Sequence, residues 1–261
     1  MLFTGVVGGI LAGLLGVGGG IVIVPMMEFA LGFVGTDPSI RMHIAVATSL
    51  ATIIPTSLSS SRAHFKRDAV DIGLVKNWAL WIFIGALAGT WIASQVHSRV
   101  LSGIFACVAF LVAIKMILPL DSKTITTGVP RGPAMIPVPT LIGLISTMMG
   151  IGGGSLSVPT MTAFGEPIHR AVGTAALFGL LIAIPGTLGF MLAGYGNPLL
   201  PTGSIGFVNL IGLVLIAPAT VLAAPLGARL AHALDKRHLT LFFGCFLLIV
   251  AIRMLIRTLT G

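Results

Sequence analysis

The positions in this chain with a capacity for chemistry are few, and most of them occur twice. GVGGG at Gly16–Gly20 is written again as GIGGG at Gly150–Gly154, and each run is followed five residues later by a proline, Pro25 and Pro159. A second segment, HIAVAT at His43–Thr48, recurs as HRAVGT at His169–Thr174. Glycines that interrupt an apolar helix leave the first backbone N–H groups of the next turn without partners. They also let a ligand approach those groups, and the helix dipole there favours negative charge. The chemistry expected of the pattern is anion binding, with Gly18, Gly19 and Gly20 supplying one set of donors and Gly152, Gly153, Gly154 and Ser155 the other. A helix terminus contributes only about 0.3 to 2 kcal/mol to a nearby charge, and desolvating an anion costs far more. Hydroxyls and a cation should therefore assist. Thr48, Ser49, Thr52 and Thr56 lie together in the first half, Thr174 and Thr187 in the second, and His169 with Arg170 offers the nearest fork-shaped cation.

Each candidate also has a structural reading. Glycines in membrane helices let backbones pack closely, and a Ser/Thr stripe can hydrogen-bond across helices or to its own carbonyls. Arg170 can anchor a helix at the interface, and His43 and His169 can cap helix starts. Glu28 is the only carboxylate well inside an apolar segment, which makes it, with His43, the candidate carrier of a coupling proton. Cys107 and Cys245 recur at matching positions without metal or redox spacing and read as small apolar fillers. No metal site or cofactor is expected. The best enzymatic constellation, Ser155 with His169 or His232, has Ile21 in place of the serine in the first copy, so no catalytic residue is assigned.

The elements that must position these residues follow from composition. With 56% apolar and 8% charged residues and a mean hydropathy of +1.08, the chain is an all-α polytopic membrane protein. Apolar stretches of about 20 residues qualify as spans at 42–61, 72–95, 100–119, 171–195, 204–228 and 239–256. Long uninterrupted apolar runs exclude a β-barrel. The N-terminus lacks the basic region of a signal peptide, so Leu2 onward is expected in the mature protein. The net charge of +8 lies in short loops, where topology accounts for it, and no nucleic-acid partner is implied. A polar linker, residues 121–134, separates a first transmembrane repeat, 1–120, from a second, 135–261.

The repeats match at changing offsets: 134 at the glycine runs, 126 at the His segments and 138 near the ends, where Phe105, Cys107 and Lys115 face Phe243, Cys245 and Arg253. Pro55 falls opposite Pro185, and the offset changes are expected in loops. Each repeat thus holds one glycine-broken segment and three spans. The pieces of a broken segment rise roughly 21 to 23 Å against an approximately 30 Å hydrocarbon core, so they either form a re-entrant hairpin or continue as one discontinuous crossing helix. The re-entrant arrangement makes the repeats inverted and gathers 11 Lys and Arg on one face against four on the other, Arg41, Arg99, Arg253 and Arg257. It is the arrangement favoured by the positive-inside tendency, and it places both termini outside the cytoplasm.

Paired G-x-GGG segments with their following prolines, each leading to a His-x-Ala-x-x-Thr segment in a duplicated chain of this length, resemble the TauE/SafE sulfite exporter family of permeases. The resemblance spans essentially the whole chain. It implies secondary transport of a small sulfur-containing oxyanion, sulfite or an organosulfonate, across a bacterial inner membrane. The chain departs from the family pattern at Ile44, where many relatives carry the basic residue that Arg170 supplies in the second copy; Arg41 stands close by. The expectation is export by alternating access around two opposed glycine tips. An anion channel or an uptake permease is the alternative, and the oligomeric state is left open.

Overall fold

The computed structural model describes residues 5–6, 9–10, 19–118, 135–233 and 236–260. Gly16–Gly18 and the whole linker, residues 121–134, lie outside the described residues. The helices are α1 (Gly20–Phe33), α2 (Pro38–Phe65), α3 (Ile72–Gln95), α4 (Ser98–Ile117), α5 (Pro137–Met149), α6 (Gly154–Ala163), α7 (Ile168–Ala193), α8 (Leu210–Ala233) and α9 (Lys236–Thr260). Five helical stretches are long and apolar enough to cross a membrane: Pro38–Phe65, Ile72–Gln95, Ser98–Ile117, Ile168–Ala193 and Leu241–Thr258. Large apolar side chains such as Leu80, Trp91, Leu192, Leu222 and Ile249 point outward, as a lipid solvent requires. The chain is a multi-pass, all-helical membrane protein.

The fifth apolar stretch, residues 204–228, does not start as a helix. Ser204–Ile205 and Val208–Asn209 form a two-stranded antiparallel hairpin with Ser204 opposite Asn209, and α8 begins only at Leu210. The turn needs Gly206, which has φ +54; a β-carbon there would also lie 2.0 Å from the Met191 carbonyl oxygen.

Helix ends are set by local chemistry. Asp37 caps α2 by accepting from Ser39 N (2.8 Å), with Pro38 fixing the first turn, and the Ser39 hydroxyl with that N–H holds the Asp37 carboxyl below the usual carboxylate range. Asp71 accepts from Leu74 N (2.9 Å) at α3, and Asn209 Oδ1 from Gly212 N (2.7 Å) at α8. Gly35, Gly150 and Gly165, all at positive φ, end α1, α5 and α6 in the same way. In each, the glycine N–H and the next N–H turn back to carbonyls three and five residues earlier, as Gly150 N to Thr147 and Ile151 N to Ser146 do.

Packing interleaves the two halves of the chain. The central pair is α2 against α7, with α3 also on α7, α8 on α2, and α4 against α9. The closest crossing is α3 on α5, where small residues let backbones touch. A β-carbon on Gly85 would be 2.1 Å from the Thr140 carbonyl oxygen, on Gly89 2.5 Å from that of Leu144, and on Gly143 2.2 Å from that of Ile82. Gly5 and Gly9 meet α8 at Ile216–Ala223 through the same four-residue spacing.

Two long-range contacts repeat across the halves. Thr48 Oγ1 on α2 accepts from the N–H of Asn209, the residue that caps α8 (3.0 Å). Thr174 Oγ1 on α7 accepts from the N–H of Asp71, the residue that caps α3 (2.9 Å). The offsets between matching features acquire a cause. Helix α1 has 14 residues and α6 has 10, and matched positions run 134 apart at Gly20 and Gly154, 130 at Gly35 and Gly165, and 126 at Thr48 and Thr174. The α1–α2 hairpin is thus one helical turn longer on each leg than α6–α7, rather than carrying a loop insertion. The offset of 126 persists to His64 and Phe190, whose carbonyls accept from Ala69 N and Phe207 N respectively. Pro55 and Pro185, 130 apart, consequently sit a turn out of register. The later change to 138 does fall in a loop, between α7 and the hairpin.

Candidate functional site

The glycine breaks of the two halves meet inside the molecule. Gly19, at φ 73, precedes α1, and its carbonyl accepts from Val22 N and Ile23 N. Gly20 is buried against the second break: a β-carbon on it would lie 2.5 Å from the Gly150 carbonyl oxygen and 2.9 Å from Ile151 Cα. Gly150 in turn abuts Val24 on α1 and Val46 on α2. The Ser49 hydroxyl donates to the Gly150 carbonyl (2.8 Å), tying α2 to the break. Beyond it, Gly153 packs on Phe178 and Gly179 of α7, and Gly154 opens α6.

Ile53 occupies the space between the breaks. Its side chain would be 3.2 Å from a β-carbon on either Gly20 or Gly152, and it is 1% exposed. The hydroxyls of Ser155 and Ser157 on α6 and of Ser146 on α5, the helices that flank the second break, are buried and make no hydrogen bond among the described residues. Ser57 on α2 meets α7 at Gly179, its Oγ 2.5 Å from where a Gly179 β-carbon would be, and Gly179 in turn lies against Gly153. The first-turn N–H groups of α1 and α6 are donors, and each unpartnered hydroxyl can turn to donate or accept, in a largely apolar surround. Such a site suits an anion or a polar oxygen-rich solute.

The remaining sequence candidates divide. Thr52 Oγ1 donates to the Ser49 carbonyl (2.7 Å) and Thr56 to those of Thr52 and Ile53, so their hydroxyls serve their own helix. Thr48 and Thr174 hold the caps of α8 and α3. His43 donates from Nε2 to the Ala93 and Val96 carbonyls (3.1 Å each) and stacks on Phe207. His169 and Arg170 are exposed at the start of α7, where Arg170 pairs with Asp71 and Glu166 (3.5 Å each). Arg170 precedes Gly179 by nine residues, about 13 Å along the helix, and so does not reach the breaks. Glu28 lies at the far end of α1, ion-paired with Arg257 of α9 and 4.0 Å from Arg41. Gly18 lies outside the described residues.

Comparison with known proteins decides the family. The sequence matches the family described as sulfite exporter TauE/SafE over residues 1–254. The chain belongs to the TauE/SafE family. It is 34% identical to a probable membrane transporter protein of Haemophilus influenzae over 98% of this chain and 97% of that protein. It is 24% identical to the probable membrane transporter protein YunE of Bacillus subtilis, over 98% and 96% of the two chains. A probable membrane transporter protein of Methanocaldococcus jannaschii is also 24% identical, over 98% and 94%. No solved structure matches. Family and relatives make the chain a membrane transporter, with a small-molecule substrate.

For this TauE/SafE member, Ile53, Ser57, Ser157, Phe178 and Gly179 are the residues at the breaks that sequence reasoning passes over. Ile53, Ser57, Phe178 and Gly179 come from spans whose apolar pattern marks them as core, and Ser157 from the second broken segment. The paired caps do have a signal in the sequence: Asp71 and Asn209 are 138 apart, the offset at which Phe105, Cys107 and Lys115 face Phe243, Cys245 and Arg253.

Proposed function

We propose that the chain is a secondary transporter that exports a small sulfur-containing oxyanion, sulfite or an organosulfonate, by alternating access around the two glycine breaks. The observation that carries this reading is the contact of Gly20, at the start of α1, with Gly150 and Ile151, three residues before α6 opens at Gly154 with the unpartnered Ser155 hydroxyl on its first turn. With no guanidinium or ammonium group at that point among the described side chains, the anion is held by N–H and O–H dipoles alone. Such a site binds weakly and releases readily, as turnover demands. Gly19, Gly20, Gly152, Gly153, Gly154 and Ser155 remain the binding set with Ser57 added; Ser49 positions the break. In this reading Ile53, buried between Gly20 and Gly152, is the side chain that closes the passage between the breaks.

The repeats, 1–120 and 135–261, act in this reading as two inverted, interlocked units in a bacterial inner membrane. Several contacts support the inversion. The start of α2 and the end of α9 share one end of the molecule through the Arg41, Glu28 and Arg257 cluster, and the starts of α3 and α7 share the other through Asp71 and Thr174. Re-entrance of the second broken segment is supported by α5 running alongside α3 in the same direction, Thr140 at Gly85 and Leu144 at Gly89, before α6 returns to the end where α7 begins. Helices that rock about such a junction expose it alternately to either side.

The test is a proteoliposome panel of sulfite, sulfate, thiosulfate, sulfoacetate and simple carboxylates, read as labelled uptake with and without unlabelled substrate on the far side. Trans-stimulated exchange of the sulfur oxyanions is the expected result. Flux of carboxylates only would overturn the substrate class, and flux without exchange would make the protein a channel.

A further inference from the structure

A second polar region stands at the end of the molecule where α1 closes and α9 finishes. A cavity of about 780 Å³ opens there, lined by the first turns of α2 and α4 and the last turn of α9. Its charged lining groups are Glu28, Asp37, Arg99 and Arg257. The Asp37 carboxylate is committed to capping α2 through Ser39 N and Oγ (2.8 and 2.6 Å). Arg41 stands behind Glu28 at 4.0 Å, held by its own bond to the Thr36 carbonyl (2.7 Å). Arg99 is exposed and makes no ion pair among the described residues. Arg257 and Arg41 thus flank Glu28, the lining carboxylate that does not cap a helix, and Arg99 opens onto the same cavity.

We propose that this cavity is a second oxyanion site, a vestibule in which Arg257 and Arg99 take up the anion and Glu28 is the built-in carboxylate that the anion displaces from Arg257. A guanidinium fork recognises a carboxylate and a sulfur oxyanion by the same two parallel N–H bonds, so one can replace the other. The cavity is wide enough for the anion to keep much of its water, which avoids the desolvation cost that limits binding at the central breaks. Displacement has a mechanical consequence. The Glu28–Arg257 pair ties α1 to α9 beside a second contact, Arg253 over the Phe29 ring at 4.3 Å; an anion on Arg257 removes the ionic part of that tie and leaves the cation–π contact. The inference rests on the transport reading only for the class of anion.

The probe is sodium sulfate at constant ionic strength, titrated onto the purified full-length protein in detergent with thermal unfolding as the readout. Glu28→Gln removes the internal competitor and should tighten the apparent sulfate affinity about fivefold or more, whereas Arg257→Gln should abolish the response. Arg99→Gln, which leaves the Glu28–Arg257 pair intact, should weaken it and serves where a change in the pair impairs folding. Unchanged sulfate affinity in Glu28→Gln and Arg99→Gln would overturn the vestibule. A Gly153→Ala protein that loses flux but keeps the sulfate response supports two separate sites. A wild-type protein that binds sulfate here yet exchanges no sulfur oxyanion would overturn the transport reading while leaving the vestibule standing.

Discussion

The contact between the breaks makes a graded prediction from single methyl groups. Carbon atoms pack at about 3.5 to 4.0 Å. Gly20→Ala would place its β-carbon 2.5 Å from the Gly150 carbonyl oxygen and 2.9 Å from Ile151 Cα. Both are backbone atoms, so α1 and the second break must part by roughly 1 Å. Gly153→Ala meets Phe178 Cβ at 2.9 Å and the Gly179 nitrogen at 3.1 Å, requiring a smaller shift of α6 from α7. Gly152→Ala meets only the Ile53 side chain, at 3.2 Å, which can rotate. None of the three has positive φ, so backbone strain does not enter. Overpacking costs about 1 to 3 kcal/mol, and the smaller conformational entropy of an unfolded chain with Ala for Gly returns about 0.4 to 1. The expected order of lost stability is Gly20→Ala, then Gly153→Ala, then Gly152→Ala, with sulfite flux falling in the same order. Gly103→Ala, whose nearest neighbour is the Thr258 methyl at 3.6 Å, is the control and should be neutral or slightly stabilising. The assay is proteoliposome flux normalised to protein that remains monodisperse, alongside thermal unfolding in detergent. Wild-type flux in folded Gly20→Ala and Gly153→Ala proteins would refute the idea that the breaks must touch and move against one another.

Other substitutions address the supports around the site. Thr174→Val and Thr48→Val each leave a buried cap N–H without its acceptor and should cost about 1 to 3 kcal/mol in unfolding measurements, with similar losses from the two. Ser49→Ala removes the donor to the Gly150 carbonyl and should lower both stability, by about 1 kcal/mol, and flux; a loss of neither would remove Ser49 from the junction. Ile53→Ala should destabilise by about 2 to 5 kcal/mol while raising the flux of the bulkier sulfoacetate relative to sulfite, a ratio that a purely structural role would not change. Gly173→Ala, whose β-carbon would be 1.9 Å from the Ala69 carbonyl oxygen, should fail to yield extractable protein.

Much of this protein is determined by its sequence alone, because lipid makes helix formation nearly obligatory for long apolar runs. Helix content, most spans, the two breaks and the family follow from hydropathy and from glycine chemistry that acts within a few residues. The Gly150 terminator is local in the same sense: its positive φ and the two bonds that close α5 lie within six residues. Tertiary structure decided what those local features face. It alone brought Gly20 onto Gly150, placed Ile53 between the breaks, and assigned Thr48 and Thr174 to the caps of α8 and α3, since every one of these contacts except Ile53 with Gly20 joins residues more than 90 positions apart. It also left Arg170 about 13 Å along α7 from the breaks, and gathered Arg41, Glu28 and Arg257 at one end. Hydropathy reports only that a segment is buried in lipid or protein; which hydroxyl meets which N–H depends on how the helices cross. Those crossings are fixed by small contact residues such as Gly85, Gly89 and Gly143, whose partners the linear pattern does not name.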